Sequence, residues 1–376
     1  MIGKNIAYRY SKLFTRGFIM WGIICGIVVL VILSILFLVI VSPGKIDQLT
    51  DSNGHTIPNS ISEKVFIEIN GIKQGMFIQG ESLDYPVLLF LHGGPGSPEF
   101  LINQIAKEKI GLEKEFIVCY WEQRGAGMSF SSKINVKEMN VQQMIEDTKK
   151  VTDYLKERFN QDKIFILGHS WGTYLGIKTI EQFPNDYYAY IGMGQISNQK
   201  QSEKLAYEYM LEYAEKTNDK KAIKSLSKFN KEDKDFPTNR YVMGIRSSLM
   251  NQYGIGIMHN DFSIAKLAKM VIFFKGYTFK EKINYLRGSA FSIKYLFQSV
   301  TFDDLNDSSN QFEIPIYVLH GVYDYQVSHD LAKEYSKSMK APKKVFYSFN
   351  ESAHSPLWEE PLKFMEIIKE IKYTEK

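Results

Sequence analysis

The most apolar part of the chain is residues 17–41, which contain no charged side chain. About 25 residues are enough for one helix to cross a bilayer. Four basic residues precede this stretch, which predicts a cytoplasmic amino terminus. A cleaved signal peptide is the main alternative, but its apolar core is usually shorter and is followed by small residues. We therefore expect a cytoplasmic basic segment at 1–16, an uncleaved transmembrane signal anchor at 17–41, and a catalytic domain on the outer side of the membrane.

The next pattern is a hairpin. After a polar linker at 42–62, apolar and polar residues alternate over 64–70, and a second strand-like run covers 75–79. The dipeptide Asn70-Gly71 between them is a turn signal.

Beyond the hairpin, short apolar runs alternate with helical stretches. The runs are 86–91, 116–121, 163–167, 188–193, 314–319 and 345–349. Helices are predicted at 141–159 and 356–371. Continuous apolar strands alternating with helices are typical of a mostly parallel sheet covered on both faces. The sequence therefore predicts an α/β fold whose core combines residues 63–196 and 311–376.

This alternation is interrupted between residues 197 and 310, which have helical rather than strand-like spacing, as in 205–213 and 264–274. We expect this segment to form a helical cap inserted after the sixth strand. Its large apolar residues are expected to pack against the core.

Charge and composition narrow the possible functions. The formal net charge is +4, but five basic residues precede the first acid, Asp47, so the rest of the chain is close to neutral. No basic stripe with interleaved aromatic residues follows, so nucleic-acid binding is not expected. Histidine and cysteine pairs with metal-ligand spacing are absent, and no cofactor motif has its required strand-to-helix setting. We therefore predict neither a metal nor a cofactor, and the oligomeric state is left open.

The strongest chemical signal is Gly168-His169-Ser170-Trp171-Gly172, which fits the pattern G-x-S-x-G. An apolar strand precedes it and a predicted helix follows it, as the motif requires. The glycines leave room for a strained strand-to-helix turn that exposes the serine. Ser170 is therefore the predicted nucleophile.

A serine needs a base, and a histidine oriented by a carboxylate usually provides it. Asp324 follows the predicted strand at 314–319, and His354 follows the last predicted strand. Both would lie at the carboxyl edge of the sheet, in the chain order serine, acid, histidine. We predict Ser170, Asp324 and His354 as a catalytic triad.

An oxyanion intermediate also needs hydrogen-bond donors. The glycine-rich turn His92-Gly93-Gly94-Pro95-Gly96 follows the strand at 86–91, where a backbone N–H can face the site without side-chain obstruction. We assign the N–H groups of Gly94 and Trp171 as donors, with Gly93 in reserve.

These motifs resemble the prolyl iminopeptidases and related serine aminopeptidases of the α/β-hydrolase fold. The resemblance extends to 121–129, which is similar to that family's D-Q-R-G-x-G-x-S, and runs from about residue 65 to the end, weakly in the cap. It implies a helical cap whose acidic groups hold the free amino terminus of the substrate. Glu122 and Arg124 would then support loops near the pocket, although a purely structural ion-pair role is equally compatible with the sequence.

Two positions depart from the family pattern. Glu122 stands where aspartate is usual, and His169 stands where glycine is common. The amine-binding acid cannot be chosen among several cap residues, which include Glu203, Glu208, Glu212 and Glu215.

The expected function is a membrane-anchored serine hydrolase that forms an acyl-enzyme, with a small peptide or acyl ester as substrate. An aminopeptidase of the prolyl iminopeptidase type is favoured. A carboxylesterase or lipase with the same triad is the first alternative, and a catalytically silent binding protein is the second. Epoxide hydrolase chemistry is disfavoured because those members of the fold carry aspartate at the position of Ser170.

Overall fold

The computed structural model describes residues 2–104, 111–260 and 263–376. Its centre is one sheet of eight strands in the order β1-β2-β4-β3-β5-β6-β7-β8. The strands are β1 Ile61–Ile69, β2 Ile72–Gly80, β3 Val87–Leu91, β4 Ile117–Trp121, β5 Ile164–His169, β6 Tyr187–Met193, β7 Ile316–Gly321 and β8 Lys344–Phe349.

Strand direction divides the sheet into two parts. β1 and β2 form the expected antiparallel hairpin, with Ile69 opposite Ile72 across the Asn70-Gly71 turn, and β2 pairs antiparallel with β4. All pairs from β4 through β3 to β8 are parallel. The carboxyl ends of these six strands therefore share one edge, where loops can bring distant residues together.

The described residues also form ten helices of six residues or more. They are α1 Ile2–Ile40, α2 Val141–Phe159, α3 Trp171–Gln182, α4 Gln199–Lys216, α5 Lys220–Leu226, α6 Ser247–Gln252, α7 Ile264–Phe273, α8 Phe279–Thr301, α9 His329–Ser338 and α10 Pro361–Glu375. Shorter helical segments include Leu305–Ser308 and Pro356–Glu359.

Both faces of the sheet are buried, which explains why its strands are continuously apolar. Alternate residues of β3 point to opposite faces. Leu89 packs with α2 and α3 on one face, whereas Leu88 and Phe90 pack with α10 on the other. The prediction of a mostly parallel sheet with helices on both faces is confirmed.

The helices α4 to α8 lie between β6 and β7, as predicted for the helical cap (residues 197–310). The long helix α8 crosses the loops at the carboxyl edge of the sheet. Its Ser292 hydroxyl donates to the carbonyl of Gly125 at 3.2 Å. Gly288, one turn earlier, lies so close that an added Cβ would be 2.7 Å from the same carbonyl oxygen. The cap is thus in direct contact with the loops that carry the predicted site.

The amino-terminal helix α1 projects from this body. Its segment Ile19–Ile40 is long and apolar enough to cross a membrane, and none of its most apolar window is buried against the protein. A signal sequence near an amino terminus meets the same criterion.

The carboxyl-terminal helix differs from its prediction. One helix was expected over 356–371, but the chain forms Pro356–Glu359 and then α10. Glu360 between them has φ −123° and ψ 56°, which is not helical. Pro361 explains the break, because proline disfavours the helical conformation in the residue before it.

Candidate active site

Ser170 occupies a strained turn between β5 and α3. Its backbone dihedral angles, φ 55° and ψ −120°, lie outside the regions that non-glycine residues usually adopt. Its N–H donates to the carbonyl of Met193 at 3.0 Å. A Cβ on Gly168 would collide with the carbonyl of Gly172, and one on Gly172 would collide with that of Leu91. The two glycines therefore allow the turn that the G-x-S-x-G pattern predicts.

Asp324 and His354 meet at the same edge of the sheet. Asp324 follows β7, His354 follows β8, and Nδ1 of His354 lies 2.7 Å from Oδ2 of Asp324. Both residues are buried, with 2% and 4% of their surface exposed. Since the carboxylate can only accept, Nδ1 carries the proton and Nε2 is free to accept another.

Backbone contacts place Ser170 close to this pair. Met193, which accepts the Ser170 N–H, precedes Gly194. An added Cβ on Gly194 would lie 2.9 Å from Cε1 of His354, so the imidazole packs directly against this glycine. The Ser170 hydroxyl itself has no hydrogen-bond partner among the described residues.

Burial and the neighbouring charges have opposite effects on the pKa values of Asp324 and His354. Burial alone would raise the pKa of Asp324, but the neighbouring His354 and His320 lower it well below its usual range. Burial lowers the pKa of His354 below 6.5, an effect that Asp324 offsets only in part. At neutral pH the pair is thus an ionised acid and a neutral histidine, which suits general-base chemistry.

Two further donors hold Asp324. The N–H of Val327 lies 3.0 Å from Oδ1, and Nε2 of His320 lies 3.0 Å from Oδ2. The other ring nitrogen of His320 accepts the N–H of Gln195 at 3.3 Å, so Nε2 carries the proton. His320 therefore fixes the carboxylate that faces His354.

The candidate oxyanion donors differ in their availability. The N–H groups of Gly94 and Trp171 have no acceptor among the described residues, whereas the Gly93 N–H donates to Oε1 of Glu99 at 2.8 Å. An added Cβ on Gly93 would lie 3.0 Å from Cβ of Ser170, so this turn borders the serine. The geometry favours Gly94 over Gly93, in the order that the sequence suggested.

A second histidine supports the His354 loop. Nε2 of His169 lies 3.0 Å from the carbonyl oxygen of His354, and Nδ1 lies 2.8 Å from Oε1 of Glu99. Because both neighbours are acceptors, a doubly protonated ring satisfies both. Burial opposes this charge, but Glu99 and the carbonyl outweigh it and raise the pKa of His169 above 6.5. Glu99 carries no local sequence signal, because its partner His169 lies 70 residues away.

Gln123 joins three loops of the site. Its side chain accepts from Nε1 of Trp171 at 2.8 Å and donates to the carbonyl of His92 at 3.2 Å. Its N–H donates to Nε2 of His92 at 3.2 Å. Burial lowers the pKa of His92 to about 4, so this ring is neutral and can accept that bond.

Glu122 and Arg124, the predicted loop supports, are both buried. Glu122 accepts from the N–H of Met128 and from the hydroxyl of Tyr277 in the cap, each at 2.5 Å, and burial raises its pKa to about 8. Arg124 forms a two-point ion pair with Asp147 of α2, at 2.7 and 3.1 Å. Glu122 therefore connects its loop to the cap, whereas Arg124 connects it to α2.

The candidate amine-binding acids of the cap are in different surroundings. Glu203 is fully buried, and its two oxygens lie 2.6 and 2.7 Å from the guanidinium of Arg246. Glu208 pairs with Lys231 at the surface. Glu212 and Glu215 are exposed. Glu203, the only buried acid of the four, is thus already neutralised by Arg246.

Metal chemistry has no visible site in the described part of the chain. Among those residues, no group of three or more His, Cys, Asp or Glu side chains is arranged to hold a metal ion.

Comparison with known proteins agrees with this architecture. A family model described as alpha/beta hydrolase fold matches residues 86–361, which is most of the chain. The chain belongs to the α/β-hydrolase family. The match covers the segments of Ser170, Asp324 and His354.

Several curated relatives of this α/β-hydrolase carry peptidase names. A protein named "Probable aminopeptidase YbaC", from Bacillus subtilis, is 32% identical over 79% of this chain and 92% of its own length. A proline iminopeptidase from Saccharolobus solfataricus is 24% identical over 75% of this chain and 83% of its own. An esterase, EstD from Thermotoga maritima, is 27% identical over 73% of this chain and 68% of its own length.

Among solved structures, the proline iminopeptidase of Mycobacterium smegmatis matches this α/β-hydrolase with a TM-score of 0.58. It is 14% identical and covers 83% of this chain and 98% of its own. At that identity the likeness shows the shared fold.

Proposed function

We propose that the chain is a serine hydrolase that acts through an acyl-enzyme, with Ser170 as nucleophile, His354 as base and Asp324 as orienting acid. The observation that carries the proposal is the strained turn at Ser170 beside the buried Asp324–His354 pair, whose imidazole packs on Gly194. Strained backbone of this kind is retained where it exposes a reacting group.

The geometry supports a two-stage reaction. Ser170 Oγ attacks the substrate carbonyl while Nε2 of His354 takes its proton, and Asp324 stabilises the resulting imidazolium. The N–H groups of Gly94 and Trp171 bind the oxyanion. The intermediate then collapses, and His354 gives the proton to the leaving amine or alcohol. Water attacks the acyl-enzyme by the same route, with His354 again as base, and releases the acid and free Ser170.

An aminopeptidase of the prolyl iminopeptidase type is the favoured activity. Its support is the resemblance of residues 92–96 and 121–129 to that family, together with the relatives named aminopeptidase and proline iminopeptidase. Such an enzyme needs an acceptor for the charged amino group of its substrate.

An esterase is the second candidate, and one contact favours it. Glu203 is neutralised by Arg246 and cannot also balance an ammonium group without losing that partner. An ester substrate would not need such an acid. The relative named esterase fits this alternative.

We propose further that α1 is an uncleaved anchor with its amino terminus in the cytoplasm. The basic residues before the apolar segment and its length support this topology. The catalytic domain would then lie on the outer side.

The substrate class can be tested with three matched compounds on the full chain in mild detergent. Proline p-nitroanilide has a free, charged amino group, its N-acetyl derivative has an uncharged amide in that place, and p-nitrophenyl butyrate provides an ester. An aminopeptidase hydrolyses the free anilide fastest and loses most of that rate on acetylation. An esterase prefers the butyrate and is indifferent to acetylation of the anilide.

Two variants control this assay. Ser170→Ala abolishes turnover of every substrate if Ser170 is the nucleophile. Ser227→Ala, which changes an exposed serine of the cap, leaves all rates unchanged.

A further inference from the structure

The cap touches the end of the candidate membrane helix. Nζ of Lys282, on α8, donates to the carbonyls of Val41 at 3.1 Å and of Ile272 at 2.5 Å. The ring of Phe37, on α1, makes an edge-on contact with that of Phe273, with centroids 6.3 Å apart. The carboxyl end of α7 therefore lies next to the carboxyl end of the apolar segment of α1.

Large apolar side chains are exposed around this junction. Ile272 and Phe273 at the end of α7 are 39% and 50% exposed, and Ile283 and Leu286 on α8 are 42% and 68% exposed. Ile283 and Leu286 lie within about one helical turn of Lys282 on α8. Ile272 and Phe273 belong to the end of α7 that Lys282 contacts. Water is an unfavourable neighbour for such a group of side chains, whereas the edge of a bilayer is a favourable one.

Lysines line a cavity that shares Phe273 with this apolar surface. An open cavity of about 730 Å³ lies between α7 and the chain that leaves α1, with Leu101, Met270 and Phe274 among its walls. Four exposed lysines also line it: Lys45, Lys266, Lys269 and Lys275. None of the four forms an ion pair with a described acid, although Asp47 also lines the cavity.

We propose that this surface, which we call the cap base (Lys45, α7 and Lys275), binds the headgroups of anionic phospholipids. The inference rests on the proposed membrane anchor, because α1 would hold the cap base at the depth where headgroups lie. An exposed apolar strip flanked by lysines is the pattern of a helix in a membrane interface. Each lysine near an anionic surface strengthens binding by roughly fivefold.

The helix α8 joins the cap base to a loop of the candidate site. It continues from Lys282, which donates to the carbonyl of Ile272 in α7, to Ser292, which donates to the carbonyl of Gly125. One continuous helix thus connects the lipid-facing end of the cap with the loop that follows Arg124.

Hydrogen exchange of the full chain in lipid nanodiscs tests the inference. One preparation contains phosphatidylcholine alone, and the other contains an equal part of phosphatidylglycerol. We expect the amides of 266–276 to exchange at least about tenfold more slowly in the anionic nanodiscs. Amides of 19–40 should be protected in both.

Three triple variants make the test specific. Lys266→Glu, Lys269→Glu and Lys275→Glu together should abolish the difference between the two lipids, and the corresponding change to Gln should reduce it. Lys220→Glu, Lys221→Glu and Lys224→Glu place the same charge change on exposed residues of α5 and should preserve it. Unchanged protection of α2 shows that each variant is folded.

Two results overturn the inference, and they are distinguishable. If 19–40 is protected but 266–276 exchanges equally in both lipids, the anchor stands and the lipid-binding surface is wrong. If 19–40 exchanges rapidly in both, the anchor itself is wrong and the inference fails with it.

Discussion

Nε2 of His169 lies 3.0 Å from the carbonyl oxygen of His354, so the residue before Ser170 holds the loop of the proposed base. The opposite side of the same ring faces Glu99 at 2.8 Å. This contact connects the turn of Ser170, the turn of Gly93 and the loop of His354 in one buried network. His169, which stands where glycine is common in the family, therefore has a structural role.

The first prediction concerns this network. His169→Asn and Glu99→Gln should each lower kcat by about 100-fold, because a small displacement of a catalytic group has an effect of that size. KM should change little, since neither residue is expected to touch the substrate. Steady-state kinetics on the favoured substrate measures both constants.

The exposed His55, whose ring lies 3.8 Å from the carboxylate of Asp51, provides the control. His55→Asn should leave kcat unchanged. The pKa of His169 is raised, so the support from its ion pair is complete below pH 6.5 and is lost as the pH rises through the raised value. The kcat of the unsubstituted protein should therefore decline as the pH rises through this value. This decline should disappear in His169→Asn, and a decline that persists unchanged would contradict this role.

The second prediction concerns the acid side of the pH profile. In its proposed role as base, His354 must be neutral, and burial lowers its pKa. The value of kcat/KM should therefore rise with pH through a midpoint below 6.5 and be nearly complete at pH 7. Rates measured from pH 4 to 8 give this midpoint, and a value above 6.5 would show that His354 is not buried as described.

The third prediction concerns stability. Arg124 and Asp147 are both fully buried and pair at 2.7 Å. Asp147→Ala leaves the guanidinium without its main partner and should lower the free energy of unfolding by about 3 to 5 kcal/mol. Urea unfolding in mild detergent, followed by the fluorescence of the buried Trp121 and Trp171, measures this change.

An exposed pair is the matched comparison. Glu334→Ala removes the partner of Lys337, in a pair whose side chains are 69% and 64% exposed. The cost should be about 1 kcal/mol or less. Equal effects of the two substitutions would show that Arg124 is not held as the structure indicates.

Much of the fold was predictable because its signals are local. The apolar runs of the sheet, the turn at Asn70-Gly71 and the glycines around Ser170 each leave a mark within a few residues. The position of Asp324 and His354 followed from one topological rule, since both come after parallel strands and such ends share an edge.

The supporting residues were not predictable in the same way. Gln123 contacts Trp171 across 48 residues, and Glu203 contacts Arg246 across 43. No spacing rule connects partners that only the folded chain brings together. The break at Pro361 was overlooked for another reason: apolar periodicity continues through it, whereas backbone sterics do not allow the helix to do so.

The central claim is that Ser170 is the nucleophile, and covalent labelling tests it most directly. The full chain is treated with a fluorophosphonate, and the modified residue is located by peptide mass spectrometry. The account predicts one adduct, on Ser170, which is lost in Ser170→Ala and retained in Ser227→Ala. No adduct, or an adduct that persists in Ser170→Ala, would contradict it.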